Sequence, residues 1–361
     1  MRPPRLVDHH CHGTVAGEQD RAGFESYLTE SDRPPAPGTT FFDTQLGFAV
    51  RRWCPPLLGL PAHCPPDEYL ARRRELGPGE AARRLLTGSG IDTFLVDTGL
   101  PGVLPGTGTV HEIVRLEHLA EDVAAGVAAG SAGAGAYVEA VTEAVERSSA
   151  VGFKSVVAYR HGLALPPDPP GAKEVRAAAA AWLAGPVRRL TDPVLIRHLL
   201  WTAAGTGLPL QLHTGFGDPD LRLQDCDPLL LTDFVRAVEP TGCPLVLLHG
   251  YPYHRQSGYL AQVYPHVHAD MGLSLSHTGA RAEAVLAEML ELTPFGKLLF
   301  STDAYGLPEL YAVGAALFRE ALGSLLGRWT ESGAWSQEDA GRVAELVAFG
   351  NAERVYGLGP G

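Results

Sequence analysis

The segment Leu6-Val7-Asp8-His9-His10-Cys11-His12 begins as an apolar strand and ends in a run of polar, metal-capable side chains. His10 and His12 are two positions apart, so in an extended strand both imidazoles lie on the same face. Three later apolar runs end in a comparable way, at His213, His249 and Asp303. Such residues at the carboxyl ends of parallel strands predict an active site at that edge of the sheet.

Short runs rich in Val, Leu and Ile recur along the whole chain and alternate with helical segments. The predicted strands are Arg5–Asp8, Thr93–Asp97, Glu112–Glu117, Phe153–Tyr159, Leu208–His213, Leu245–His249, Val267–Met271 and Leu298–Asp303. The predicted helical segments include Glu80–Leu86, Leu119–Ser148, Ala172–Ala204, Pro228–Val238 and Arg281–Leu292. This alternation predicts parallel β/α units, and eight of them close naturally into a (β/α)8 TIM barrel of the α/β class. A doubly wound open sheet is the alternative.

Two connections are much longer than the few residues of an ordinary βα loop. They follow the first and fourth predicted strands, at residues 13–90 and 161–205, and both contain proline-rich stretches. Long insertions of this kind build walls or a lid over the active face of a barrel, so we expect them to select the substrate. Because no repeat or linker is visible, we predict a single domain over residues 1–361.

The charge balance and the cysteine pattern limit the classes of partner and compartment. The 361 residues include 29 basic and 41 acidic side chains, for a formal net charge of −12, which argues against nucleic acid and anionic membranes. Five scattered cysteines without a CxxC pair predict a reducing compartment. With no apparent signal peptide or spanning segment, we expect a cytoplasmic protein acting on a small molecule. Association into a homo-oligomer stays open.

The polar residues at the strand ends have both metal-binding and structural interpretations. A lone buried histidine is more often hydrogen-bonded in the core than bound to a metal, and Asp303 could simply cap the next helix. The joint pattern is more specific, because several strand ends must carry metal-capable residues at once. We therefore predict a site for Zn²⁺ or a similar divalent ion formed by His10, His12, His213 and Asp303.

The order of these residues resembles the amidohydrolase superfamily of metal-dependent barrel hydrolases. An HxH pair, a lysine, two histidines and an aspartate follow one another on strands one, four, five, six and eight. Further segments resemble the FluG-like group, which occurs alone or fused to glutamine synthetase. These segments are Gly152–Arg160, Leu212–Asp218, Leu248–Tyr253, Gly258–Leu260, Ser301–Ala304 and Pro308-Glu309.

The resemblance implies a metal centre and leaves the number of metal ions open. In binuclear members the lysine of the fourth strand is carboxylated and bridges two ions, which would be the role of Lys154. The implied ligand set is then His10, His12, Lys154, His213, His249 and Asp303. A mononuclear site without Lys154 is the alternative, in which Lys154 stays an ammonium paired with a carboxylate. Zinc is the expected metal, and manganese and iron are alternatives.

The resemblance also implies hydrolysis of a C–N bond, with Asp303 and His249 as the catalytic residues. Asp303 would accept a proton from metal-activated water, and His249 would bind the second metal or polarise the substrate. The expected substrate is a small polar amide, such as a γ-glutamyl amide. Alternatives are a deaminase acting on an amidine or ring carbon, a metal-dependent decarboxylase, and a regulatory protein without activity. Asp8 is a candidate for orienting a ligand, and a structural hydrogen bond is the alternative.

Residues that follow the predicted strands four, six and eight are candidates for binding a carboxylate-bearing substrate. Arg160 could clamp a carboxylate with two hydrogen bonds, and Glu309 could bind an ammonium group. Each has a structural alternative. Arg160 could form an ion pair within the protein, Tyr251 and Tyr253 could pack the loop, and Glu309 could stabilise the start of a helix through its dipole. The complete set of candidates is Arg160, His161, Tyr251, Tyr253, His254 and Glu309.

Overall fold

The computed structural model describes residues 5–103, 106–129, 133–185 and 189–359. Its eight strands belong to one sheet and are neighbours in chain order. They are β1 (Leu6–Cys11), β2 (Ile91–Asp97), β3 (Thr109–Arg115), β4 (Gly152–Ser155), β5 (Leu210–Thr214), β6 (Leu245–His249), β7 (Val267–Asp270) and β8 (Leu298–Leu299). Strands in this order with helices between them form a (β/α)8 TIM barrel, as the sequence predicts.

Helices fill most of the chain between the strands, including the two long insertions. The α-helices are α1 (Arg21–Glu25), α2 (Gln45–Leu57), α3 (Pro66–Leu76), α4 (Pro78–Ser89), α5 (Leu116–Ala129), α6 (Ala134–Glu146), α7 (Val157–Arg160), α8 (Ala172–Ala184), α9 (Pro193–Gly205), α10 (Thr232–Val238), α11 (His254–Val263), α12 (Gly272–Thr278), α13 (Ala282–Met289), α14 (Pro308–Glu331), α15 (Gln337–Glu345) and α16 (Asn351–Tyr356). The first insertion thus contains four helices, and the second contains α8 and α9.

The chain forms two compact units. The first consists of Met1–His111, Gly217–Pro219 and Asp270–Gly361, and the second of Glu112–Phe216 and Asp220–Ala269. Within the first unit β1 pairs in parallel with β2, and every residue of β1 is buried. Within the second unit β4, β5 and β6 pair in parallel, and all their residues are buried. That the whole chain acts as one domain stays a prediction.

Helix α14 is the one helix of the described residues that is long and apolar enough to cross a membrane. About three fifths of its most apolar stretch, 61%, is buried inside the protein. Mostly buried core helices have the same length and composition, and α14 packs inside the first unit. Its buried side chains include Tyr311, Phe318 and Leu322.

Strand β4 is shorter than predicted, and the predicted strand from Phe153 to Tyr159 is wrong beyond Ser155. The buried Glu117 carboxylate accepts hydrogen bonds from the Ser155 hydroxyl at 2.5 Å and from the Val156 amide at 3.1 Å. The Ser155 hydroxyl in turn accepts from the Val157 amide at 3.1 Å, and helix α7 begins there. After Ser155 the backbone amides thus donate to side-chain oxygens instead of to a neighbouring strand, and the strand ends.

Two predicted helical segments are each divided in the structure, and two predicted strands end early. The segment Leu119–Ser148 contains α5 and α6, and Gly133, which is extended, precedes α6; residues 130–132 lie outside the described residues. The segment Ala172–Ala204 contains α8 and α9, because Asp192 caps a new helix whose first residue is Pro193. Strand β3 ends at Arg115, where α5 follows directly, and β8 covers only Leu298–Leu299.

The loop after β8 passes so close to Tyr27 that only glycine fits at position 306. Gly306 has a φ of +77°, and a methyl group added to it would overlap the Tyr27 ring. We expect Gly306→Ala to lower the free energy of unfolding by well over the roughly 1 kcal/mol that a positive φ costs an L-residue. Gly333→Ala is the matched control, because Gly333 has a φ of +75° with no atom near its Cβ position. Equal losses for the two variants in urea unfolding would contradict the steric argument.

Candidate functional site

Three predicted metal ligands of the first unit come together at the carboxyl end of β1. His10 Nε2 lies 3.0 Å and His12 Nε2 lies 3.4 Å from Asp303 Oδ1. One ligand atom from each residue lies within 4.8 Å of the others. The His10 side chain is fully buried, whereas 12% of the Asp303 side chain is exposed. We call this group the His10–His12–Asp303 cluster.

The orientation of the His12 ring shows that the cluster suits a cation. His12 Nδ1 lies 3.2 Å from the Asp97 carbonyl oxygen, which can only accept a hydrogen bond. In a neutral imidazole Nδ1 therefore carries the proton, and Nε2 presents a lone pair to Asp303 Oδ1. Two facing acceptors repel each other unless a proton or a metal ion lies between them. Two imidazole nitrogens and a carboxylate oxygen are ligands that Zn²⁺ and similar divalent ions accept.

Backbone strain marks two of the predicted metal-binding residues. Asp303 has a φ of +51° and His249 a φ of +68°, and His63 is the only other non-glycine residue with a positive φ in the described parts of the chain. Side chains make this conformation costly, and it persists where the surroundings enforce it, often at functional sites. Asp303 is held by its own amide, which donates to the His10 carbonyl at 3.0 Å.

Asp8 lies beneath the cluster, fully buried, and accepts two hydrogen bonds from Thr302. The Thr302 amide donates to its Oδ1 at 2.9 Å, and the Thr302 hydroxyl donates to its Oδ2. Burial outweighs these hydrogen bonds and raises the pKa of Asp8 to about 8 in the metal-free protein. Asp8 thus fixes Thr302, the residue before Asp303, through hydrogen bonds, and its role in orienting a metal ligand stays a prediction.

The raised pKa of Asp8 predicts a pH dependence of stability in the metal-free protein. An aspartate side chain in water has an ordinary pKa of 3.8, so between pH 3.8 and about 8 the folded state holds a proton that the unfolded state has released. Stability should therefore fall as pH rises through this window, by up to about 1.4 kcal/mol per pH unit. Asp8→Asn should flatten that slope in urea unfolding, whereas Asp233→Asn, an exposed carboxylate, should leave it unchanged. An unchanged slope in Asp8→Asn would refute the assignment.

Cys11 stands between His10 and His12, but its thiol is directed away from the cluster. Its thiol donates to the Leu95 carbonyl at 3.6 Å, and burial raises its pKa well above the usual value. A thiol that keeps its proton is a poor metal ligand. All five cysteines are buried and free, and none forms a disulfide.

The second unit brings together two further predicted ligands at the ends of β5 and β6. The ring centroids of His213 and His249 lie 4.7 Å apart, and the ring centroids of Tyr159 and His213 lie 4.5 Å apart. His213 and His249 are buried, as expected of ligands inside a barrel. That they share a metal centre with His10 and His12 stays a prediction.

Lys154 is buried in the middle of β4. Its neighbours in the sheet are Arg115 of β3 and Gln211 of β5. Glu117 holds the end of its strand through Ser155, one residue further along the chain. The carboxylation of Lys154 stays a prediction.

The candidate substrate-binding residues of the second unit lie in contrasting environments. Arg160 Nη1 is paired with Glu121 Oε1 at 2.8 Å, the ion pair considered as its structural alternative. His161 is exposed, directly after α7. Tyr251 stacks on the buried His254, with ring centroids 5.5 Å apart, and Tyr253 immediately precedes α11. Their roles in substrate binding stay predictions.

Glu309, the substrate candidate of the first unit, is completely buried at the start of α14. Its Oε1 accepts hydrogen bonds from Arg73 Nε and from the Tyr69 hydroxyl, both at 2.8 Å. The structure therefore gives this carboxylate a protein cation as partner. Binding of a substrate ammonium by Glu309 stays a prediction.

Several residues near the candidate ligands were not singled out from the sequence. The Tyr305 ring lies 5.9 Å from that of His12 and 5.6 Å from that of Tyr27. The Tyr311 hydroxyl donates to the His12 carbonyl. Tyr305 comes only two residues after Asp303, a signal that could have identified it, whereas Tyr27 and Tyr311 carry no local signal.

Comparisons with known proteins relate most of this chain to a known family. The family described as amidohydrolase matches residues 106–358. The FluG protein of Emericella nidulans is 35% identical over 225 residues, which cover 58% of this chain and 26% of that protein. The chain thus spans about a quarter of the length of this relative. Since the family match begins after β1, the roles of His10 and His12 depend on their geometry.

Solved structures extend the likeness to nearly the whole chain. A protein of Lactobacillus casei assigned as a metal-dependent hydrolase is 28% identical, with a TM-score of 0.84, covering 98% of this chain and 95% of that one. A uronate isomerase of Thermotoga maritima (13% identity, TM-score 0.60, 98% and 94% coverage) and a glucuronate isomerase of Caulobacter crescentus (14%, 0.66, 99% and 92%) share the fold alone. The family match over most of the chain shows that this protein belongs to the amidohydrolase family and is related to FluG-like proteins.

Proposed function

We propose that this protein is a metal-dependent hydrolase that cleaves the C–N bond of a small, carboxylate-bearing amide, and that the His10–His12–Asp303 cluster binds its metal. The observation that carries the proposal is the convergence of three potential ligand atoms within 4.8 Å in a largely buried setting. Membership of the amidohydrolase family implies a divalent metal. Zinc is our first choice because it suits imidazole and carboxylate ligands.

The residues of the cluster have distinct tasks in such a reaction. A bound divalent ion lowers the pKa of water toward neutrality, which supplies a nucleophile at physiological pH. His10 and His12 hold the ion, and the Asp97 carbonyl fixes the His12 ring in the required orientation. The Asp303 carboxylate, the most exposed of the three, is suited to accept a proton and pass it to the leaving nitrogen.

The substrate class rests on the FluG-like relationship and on the predicted pocket residues. FluG-like domains occur next to glutamine synthetase, which suggests a γ-glutamyl amide as the first compound to test. His249 would polarise the substrate or bind a second ion, with Lys154 as the bridge. Of the predicted anion-binding residues, Arg160 would have to exchange Glu121 for a substrate carboxylate.

The proposal is tested by activity screening of metal-loaded protein. Purified protein loaded with zinc, manganese or iron is incubated with γ-glutamyl amides and other small amides, and release of amine, ammonia and CO₂ is measured. Amine or ammonia release that chelation abolishes is the expected result. Ammonia from amidines or ring amines alone would indicate a deaminase, and CO₂ alone a decarboxylase. Absence of bound metal would overturn the proposal. Metal content of about two ions per chain would favour the Lys154 bridge, and about one would exclude it.

We also propose a cytoplasmic location and no nucleic-acid or membrane partner. The net charge of −12 and the five free cysteines support this proposal. Fractionation of the native cells would test the location, and light scattering would test for a homo-oligomer.

A further inference from the structure

Glu309 connects the helix that follows Asp303 to the first insertion. It lies in the first turn of α14, six positions after Asp303, and none of its surface is exposed. Both donors to its Oε1, Arg73 and Tyr69, come from α3 of the insertion. From α2, the Cys54 thiol donates to the Glu309 carbonyl at 3.8 Å.

The donors to Glu309 are themselves fixed by aromatic packing inside the insertion. The Arg73 guanidinium lies 5.6 Å from the centre of the Phe24 ring, which stacks on Phe42. Phe24 also meets the Tyr69 ring edge-on at 6.1 Å. Phe24, Phe42, Tyr69 and Arg73 of the insertion thus form one packed group, whose two polar members donate to a single carboxylate of α14.

A buried carboxylate at this position requires its partners. Moving a charge out of water is unfavourable unless a hydrogen-bonded counter-ion is present. Burial works to lower the pKa of Arg73, but the charge and hydrogen bond of Glu309 outweigh it and raise that pKa. The side chain of Arg73 is 6% exposed and that of Glu309 is fully buried, so water cannot replace either partner. The start of α14 is thus tied to the position of α3.

The segment between Asp303 and Glu309 links the start of α14 to the His10–His12–Asp303 cluster. The His12 amide donates to the Ala304 carbonyl at 2.8 Å, and the Gly306 amide donates to the Gly13 carbonyl at 3.1 Å. Asp303 itself has the left-handed φ of +51°, which persists only if the segments on both sides of it are held. Thr302 holds the side before Asp303 through its hydrogen bonds to Asp8. The pairing of Ala304 and Gly306 with residues 12–13, together with the start of α14, holds the side after it.

We propose that Glu309, Arg73 and Tyr69 form a buried brace that positions the ligand Asp303, so that the first insertion sets metal affinity as well as covering the site. The inference rests on the proposed metal site. Glu309 is then a positioning residue, because it acts through Asp303. It departs from the expectation that Glu309 meets the substrate.

The decisive variant removes the whole ion pair. R73M/E309L replaces two buried charges by apolar side chains of similar size, a change that proteins often tolerate. The matched control is R52M/E320L, which removes an exposed ion pair that also joins the insertion to α14, with hydrogen bonds of 2.9 and 2.5 Å. Circular dichroism checks folding. Zinc affinity is measured by competition with a chromogenic chelator, and the visible spectrum of the Co²⁺ form reports the ligand geometry.

We expect R73M/E309L to bind zinc at least about 10-fold more weakly and to show an altered Co²⁺ spectrum, as for other residues that orient metal ligands. R52M/E320L should match the wild type in both. A folded R73M/E309L with unchanged affinity and spectrum overturns the brace. If that variant does not fold, Arg73→Lys decides in the same way, because it keeps the charge and displaces the donor. Wild-type protein that binds no metal overturns the proposed function itself, and the brace with it.

Discussion

Asp303→Asn is expected to keep most of the bound metal and to lose at least about 100-fold in kcat. Asparagine retains an oxygen where Asp303 Oδ1 meets His10 Nε2 and His12 Nε2, so one ligand atom is preserved. An amide, however, cannot accept a proton at neutral pH, and general acid–base catalysis contributes about 10²- to 10⁴-fold. Metal analysis and steady-state kinetics on the substrate identified by screening measure the two effects.

The interpretation of this variant depends on separating proton transfer from metal loss. Asp233→Asn, which alters an exposed carboxylate of α10, should leave both kcat and metal content unchanged. An Asp303→Asn protein with near-native kcat would show that Asp303 does not handle the proton. A variant that lost its metal as well would make Asp303 a ligand first, and the kcat loss would then say nothing about proton transfer.

His12→Ala is expected to have the largest effect on metal binding, with a loss of affinity of about 100-fold or more. It removes one of the two imidazole ligands, a larger change than the about 10- to 100-fold typical of residues that only orient ligands. Metal at 1,000 times the wild-type Kd should stabilise the wild type by about 4 kcal/mol, and a 100-fold weaker variant by only about 1.4 kcal/mol. Urea unfolding with and without zinc measures this difference.

A surface histidine controls for non-specific metal binding. His118 is half exposed beside Asp122, and His118→Ala should preserve the full stabilisation by zinc. If His12→Ala gained as much stability from zinc as the wild type does, the His10–His12–Asp303 cluster would not be the metal site. Unequal stability of the metal-free proteins does not affect the result, because each variant is compared with itself.

The sequence predicted the elements whose signals are local. Apolar runs ending in His213 and His249 located β5 and β6 to within two residues at either end, because a buried parallel strand is continuously apolar. The prediction was wrong where a distant side chain intervened. Strand β4 ends at Ser155 because Glu117, nearly forty residues earlier, captures its backbone. Nothing in the run Phe153–Tyr159 signals that contact.

In the candidate site, too, the sequence carried the local relations between residues and did not show the contacts between distant ones. The spacing of His10 and His12 was enough to predict that both reach one metal, and the structure brings them to the same oxygen of Asp303. Arg160 and Glu309 were selected as charged residues after strands, and the structure pairs them with Glu121 and with Arg73. Residue type and position along the chain cannot distinguish a charge that awaits a ligand from one already neutralised.

The sequence by itself predicted the alternation of strands and helices and the metal-capable residues at strand ends, because these follow from hydrophobic periodicity and residue type. Its resemblance to the amidohydrolase superfamily then indicated the barrel, the family and a metal-dependent hydrolase. Only the tertiary structure decided which atoms meet: the lone pair of His12 turned toward Asp303 by the Asp97 carbonyl, and Glu309 joined to Arg73. Such contacts join residues separated by 85 and 236 positions, and they form only when packing brings the elements together and burial makes an unpaired charge too costly. The strand ends and the family resemblance were therefore sufficient to predict a metal-dependent hydrolase, and the tertiary structure was needed to show that α3 of the first insertion pairs with Glu309, six residues after Asp303.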